Sequence, residues 1–168
     1  MNVKGLMKLL LVSVFVLSSL IFAPGLNASA KAAPAKPKIE VKSLKKVKYD
    51  RAISTKTTTY LYYQVRTEGK KTYYKYLRVE GIVERLDGRT LINNLNLQMK
   101  YIGVKAGILE VDIKDPTTKF TVYAPSKWVE SPPSTTKKKT YLLAYDYKLD
   151  LQRSKSKWSS YASDTFYY

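Results

Sequence analysis

The sequence predicts an all-β protein: an antiparallel β-sandwich of about seven to eight strands, with a small β-barrel as the alternative architecture. Three observations predict it. From Ile39 onward, apolar and polar residues alternate with a period of two in segment after segment. Turn signals punctuate those segments, among them Glu68-Gly69, Asp87-Gly88 and Ser131-Pro132-Pro133-Ser134. No stretch beyond the leader carries a 3.6-residue repeat, so little helix is expected.

The strands follow in order. From Ile39, the odd positions Val41, Val47 and Tyr49 are apolar or aromatic and make the first strand. Residues 57–66 are rich in Thr and Tyr, and residues 72–86 form a long β-prone run. Residues 91–100 come next, then 108–114, where Leu109, Val111 and Ile113 alternate with Glu110, Asp112 and Lys114. Phe120 to Tyr123 makes a short strand ahead of Pro125. Residues 141–151 alternate most regularly. Tyr141, Leu143, Tyr145, Tyr147, Leu149 and Leu151 face one way, and Leu142, Ala144, Asp146, Lys148 and Asp150 the other. The aromatic tail of Trp158, Tyr161, Phe166, Tyr167 and Tyr168 reads as the closing strand, since a chain ending in three aromatics buries some of them.

Two strand registers can be argued. A turn at Glu68-Gly69 sets Leu61 opposite Tyr76, Tyr63 opposite Tyr74 and Val65 opposite Thr72. At Asp87-Gly88 a two-residue loop would oppose Leu91 to Glu84 and Leu95 to Glu80, placing apolar groups against carboxylates. A three-residue loop with Gly88 in a G1 bulge instead pairs Val83 with Leu91, Val79 with Leu95 and Leu77 with Leu97. On that register the strand of residues 72–86 pairs on both sides, in a meander of at least three strands.

Ahead of this domain, residues 1–30 read as a secretory signal peptide. Lys4 and Lys8 form a positive start, Leu9 to Phe22 an apolar run broken only by Ser13, Ser18 and Ser19, and Ala28-Ser29-Ala30 a small-x-small cleavage site. The apolar run falls short of the roughly 20 residues a membrane-spanning helix needs. Cleavage after Ala30 removes two Lys and no acid, so the net charge falls from +17 to +15. Residues 31–38, with Pro34, Pro37 and three Lys, are expected to be an extended basic spacer, leaving 39–168 as a single all-β domain. The expected localisation is secreted, with association to a cell wall.

Composition narrows the chemistry. With no Cys and no His there is no disulfide, no thiol nucleophile, no imidazole base and no ordinary zinc site. Glu110 with Asp112, and Asp146 with Asp150, share strand faces as a glycosidase-type carboxylate pair would, but a solvated strand face has the same spacing. No glycine-rich phosphate loop or nucleophile elbow is present, so neither an enzyme nor a cofactor is expected.

The remaining signal is charge beside rings. Tyr supplies 15 residues, several next to Lys or Arg. A cation that meets an anionic group beside a ring that stacks suits a polyanion. The predicted binding surface is the first hairpin: Tyr62, Arg66, Lys70, Lys71, Tyr73 and Lys75. The expected partner is an anionic extracellular polymer or surface, foremost a bacterial wall polymer, and export argues against nucleic acid as the physiological partner. The alternative is a secreted effector, either a protease inhibitor presenting the loop from Ser131 to Thr136 or a cationic antimicrobial protein.

Overall fold

The computed structural model describes residues 36–117, 119–133 and 141–168. The predicted signal peptide, residues 31–35 of the spacer and the Lys137–Lys139 run lie outside the described residues. Eight strands form: β1 (Lys38–Tyr49), β2 (Thr55–Glu68), β3 (Lys71–Arg85), β4 (Leu91–Ile102), β5 (Ala106–Ile113), β6 (Phe120–Tyr123), β7 (Leu142–Arg153) and β8 (Ser156–Tyr167). They make two antiparallel four-stranded sheets, ordered β1-β2-β3-β6 and β5-β4-β7-β8. Two separate sheets make a sandwich rather than a closed barrel, and no helix occurs among the described residues.

The alternation read from the sequence places the core. Leu143, Tyr145, Tyr147, Leu149 and Leu151 of β7 and Leu95, Leu97, Met99 and Tyr101 of β4 are buried. Opposite them lie Leu61, Tyr63, Tyr76, Val79 and Val83 of the first sheet. Five of these core residues are Tyr, and their hydroxyls need partners once out of water. Tyr76 donates to the Ala144 carbonyl at 3.0 Å, and Tyr145 shares a 2.5 Å hydrogen bond with Thr59. Burial pushes the Tyr76 and Tyr145 hydroxyls well above the usual tyrosine range, so both stay protonated. The tail does close the second sheet: β8 pairs along β7, and Phe166 stacks on Tyr63 at 4.4 Å.

Three expectations are corrected. The first hairpin turns at Gly69-Lys70, so Tyr63 faces Tyr76 and Val65 faces Tyr74. Gly69 has φ +58°, as the first central residue of a two-residue II′ loop requires; a Glu68-Gly69 loop would put Glu68 there. The shift is by two residues, so each side chain keeps its face. A bulge opposite Tyr62 and Tyr63 then leaves Leu77 unpaired, and inward positions on β3 change from even (Tyr74, Tyr76) to odd (Val79, Val83).

The second correction concerns Asp87-Gly88, which is not a hairpin. The chain crosses there from the first sheet to the second, and β3 pairs with β2 and β6 while β4 pairs with β5 and β7. Asp87 Oδ1 accepts the Arg89 and Thr90 N–H groups, and Arg153 of β7 holds the Asp87 carboxylate and the Thr90 hydroxyl. These bonds tie the turn to the second sheet. Val79 and Val83 still meet the apolar side of β4, but across the core rather than along a ladder.

The third correction is in β1. Its register with β2 turns Val41, Val47 and Tyr49 outward, and they are 60%, 40% and 48% exposed. Glu40, Lys42, Leu44, Lys46 and Lys48 take the inner side, where only Leu44 packs on the core. β1 is an edge strand, and inward-pointing lysines deny its open edge to another chain.

Candidate functional site: the outer face of the first sheet

The outward positions of β1, β2 and β3 build one surface of alternating rings and cations. On β2 these are Tyr60, Tyr62, Gln64 and Arg66; opposite them on β3 stand Glu80, Arg78, Lys75 and Tyr73. Lys45 of β1 lies opposite Tyr60. Three cation–ring pairs result. The Arg66 guanidinium sits 4.3 Å from the Tyr73 ring centre, Arg78 sits 4.1 Å from Tyr62, and the Lys45 ammonium lies 5.7 Å from Tyr60. Tyr60 and Tyr62 lie 6.2 Å apart at 31°.

All six residues singled out from the sequence lie on or at the end of this surface. Tyr62, Arg66, Tyr73, Lys75 and Lys71 occupy outward positions, and Lys70 is at the turn beside Gly69. Their neighbours differ from the expected ones: Arg66 stands beside Tyr73 rather than Lys71, and Tyr62 beside Arg78 rather than Lys75.

The cations fall into two groups. Arg66 is held by Glu130 at 2.8 Å and Glu68 at 2.7 Å, and those carboxylates push its guanidinium further above its usual value. Arg78 is held by Glu80 at 2.6 Å, and Glu80 also takes Lys119 at 3.0 Å. These two arginines therefore act chiefly as braces for the rings beneath them. Lys45, Lys46, Lys48, Lys70, Lys71 and Lys75 have no carboxylate within salt-bridge distance among the described residues. Of these, Lys45, Lys70, Lys71 and Lys75 stand on or at the end of the outer surface and carry its surplus charge, whereas Lys46 and Lys48 take the inner side of β1.

Sequence reasoning missed Lys45, Tyr60 and Arg78. Lys45 meets Tyr60 only because β1 pairs with β2, a pairing that no local signal in β1 announces. Arg78 reaches Tyr62 only through the bulge. Around these groups lie Ile39 and Tyr123, 57% and 69% exposed, an apolar margin to the charged surface.

The outer face of the second sheet is different. Glu110, Asp112, Asp146 and Asp150 all point outward there. Asn96 Nδ2 donates to Glu110 at 2.8 Å and to Asp112 at 3.0 Å; Lys100 pairs with Asp146, and Lys148 lies 3.0 Å from Asp150. Each carboxylate on this face is thus engaged by an amide or an ammonium. No group of three or more acidic residues is placed to hold a metal ion among the described residues.

Ser131, first residue of the candidate inhibitor loop, is fully buried. Its hydroxyl shares a 2.5 Å hydrogen bond with Tyr101 and accepts the Val104 N–H at 2.9 Å, while its backbone pairs with Tyr74. Pro132 and Pro133 are exposed, and residues 134–140 lie outside the described residues. Comparison of the chain with protein-family models, with curated proteins and with solved structures finds no match.

Proposed function

We propose that the protein is a secreted, non-enzymatic β-domain that binds an anionic extracellular polymer, foremost a cell-wall polymer of the poly(glycerol phosphate) kind, along the outer face of its first sheet. The observation that carries this reading is the set of four lysines without a carboxylate partner among the described residues, Lys45 of β1, Lys70 at the β2–β3 turn and Lys71 and Lys75 of β3, set among Tyr60, Tyr62 and Tyr73. Unpaired ammonium groups release counterions when they meet phosphates, whereas paired arginines release few. The braced rings give the polymer's sugar or glycerol units a flat apolar surface to lie on. A net charge of +17 also exceeds the two to eight or so that solubility asks of a small domain.

The test is a salt series. Binding to purified poly(glycerol phosphate) is measured for the protein, for a Lys70→Gln/Lys71→Gln/Lys75→Gln variant and for Lys45→Gln. Each variant is expected to bind more weakly. The slope of log K against log salt should become shallower by about two to three units in the triple variant and by about one in Lys45→Gln, one per lost phosphate contact. Unchanged affinity and slope in both variants would remove the first sheet from consideration.

A further inference from the structure

We infer that the pocket where the β1–β2 and β7–β8 turns meet binds a small anionic carbohydrate, a sugar ring bearing a phosphate or a carboxylate. The pocket measures about 590 Å³ and is lined by Arg51, Ala52, Arg153, Ser156, Trp158 and Ser159. That volume lies within the roughly 300–1,000 Å³ of small-ligand sites.

Its groups divide into a platform, a rim and a frame. The platform is the half-buried indole of Trp158, the kind of flat face on which the C–H side of a sugar stacks. Its orientation is fixed, because its N–H donates to Asp50 Oδ2 at 3.1 Å. Asp50 is itself anchored by the N–H groups of Ser54 at 2.7 Å and Thr55 at 2.6 Å. At the rim stand two guanidinium groups. Arg153 lies 5.9 Å from the Trp158 ring and is held by Asp87 and Thr90. Arg51 is exposed and has no carboxylate partner among the described residues, so its fork is open to a phosphate or carboxylate. The Ser156 hydroxyl supplies a small polar group for a ring hydroxyl, while the Ser159 hydroxyl donates to Asp150 at 2.7 Å; no side-chain amide lines the pocket to read a nucleobase edge.

The frame is strained on both sides. Ile53 and Ser154, at φ +52° and +51°, are the non-glycine residues with positive φ among the described residues, one on each of the two turns. A β-branched residue rarely adopts that conformation, and the Ile53 side chain gains nothing from it, being 68% exposed. The Asp50 hydrogen bonds hold it there. Backbone strain maintained at exposed turns collects around ligand sites, where it fixes the shape of the cleft. The pocket is at the far end of β2 from the Gly69 turn and shares no residue with the proposed polymer surface, so the two readings stand or fall separately.

The two tryptophans give the test its reporters. Trp128 is buried against Tyr76 and Tyr101 and serves as the internal control. In the ¹⁵N-labelled full chain, with the Trp158 indole signal assigned through Trp158→Phe, glucose 6-phosphate, glucuronate, glucose, inorganic phosphate and AMP are titrated in turn. The Trp158 signal is expected to shift saturably with glucose 6-phosphate and glucuronate while the Trp128 signal stays in place. Glucose and phosphate alone should bind at least about tenfold more weakly, and Arg51→Gln should weaken the anionic sugars by about tenfold in a spectrum that remains dispersed. The proposal is overturned by any of four results: no shift with millimolar anionic sugar, phosphate alone binding as tightly as the sugar phosphate, unchanged binding in Arg51→Gln, or preference for AMP.

Discussion

Asp50 ties the end of β1 to the following turn and to β8. It follows Tyr49 at the end of β1, is 3% exposed, and accepts hydrogen bonds from the backbone of Ala52, Ser54 and Thr55, from two hydroxyls and from Trp158 of β8. Burial alone would raise its pKa. The N–H groups of Thr55 and Ala52, the Trp158 indole and the Ser54 N–H outweigh burial and leave it below the usual carboxylate range. The folded value is thus lower than the unfolded one, near 3.9. The stability it contributes is complete above the unfolded value and is lost as pH falls through the folded one. Asp50→Asn should therefore cost about 2–3 kcal/mol at neutral pH, because an amide presents donors to N–H groups that need acceptors. Urea unfolding at pH 7 and at pH 2.5 checks it: the gap between wild type and variant should narrow at the lower pH, and an equal gap would assign the cost to packing instead. The residues of this network are visible in the sequence, where an Asp is followed by Ser54 and Thr55, but its closure by Trp158, more than a hundred positions later, is not.

At the scale of elements, period-two patterning specified which side of a strand is inner, and for β2, β5 and β7 that was sufficient. In β4 a bulge between Ile92 and Asn94 turns Leu91 out, 51% exposed, and sets Ile92 against the core instead. The patterning failed to specify partners. Val79 and Val83 meet the apolar side of β4 equally well as neighbours in a ladder or as opposites across a core, so the hydrophobic pattern of 72–86 and 91–100 fits both topologies. The choice is made by Asp87 and Arg153, a contact between residues distant in sequence. In β1 the pattern misled, because an edge strand guarded by inward lysines reverses the usual alternation. Gly81 separates the topologies experimentally. It opposes Phe120 of β6, and a Cβ there would stand 2.5 Å from the ring. Gly81→Val should cost about 1–3 kcal/mol by overpacking, and much less when combined with Phe120→Ala. Had β3 paired with β4 in the expected register, Gly81 would oppose Asn93 and Phe120→Ala would bring no relief. A double-mutant cycle by thermal unfolding distinguishes the two.

For the whole molecule, the excess of cations over acids was plain from composition, but its distribution depends on the fold. The carboxylates of the second sheet's outer face are engaged by Asn96, Lys100 and Lys148, and the two arginines on the first sheet's outer face, Arg66 and Arg78, by Glu68, Glu80 and Glu130. What is left over on that outer face is lysine. The predicted hairpin residues were placed on a single face because the register error was even-numbered; an error of one residue would have divided them. Whether this face binds an anionic polymer is read from the amide shifts of the ¹⁵N-labelled protein on titration with a poly(glycerol phosphate) oligomer at two salt concentrations. The shifts should cluster on Lys45, Tyr60, Tyr62, Lys71, Tyr73 and Lys75 and fade as salt rises. Shifts centred on Glu110, Asp112, Asp146 and Asp150, or confined to residues 134–140, would contradict binding by this face.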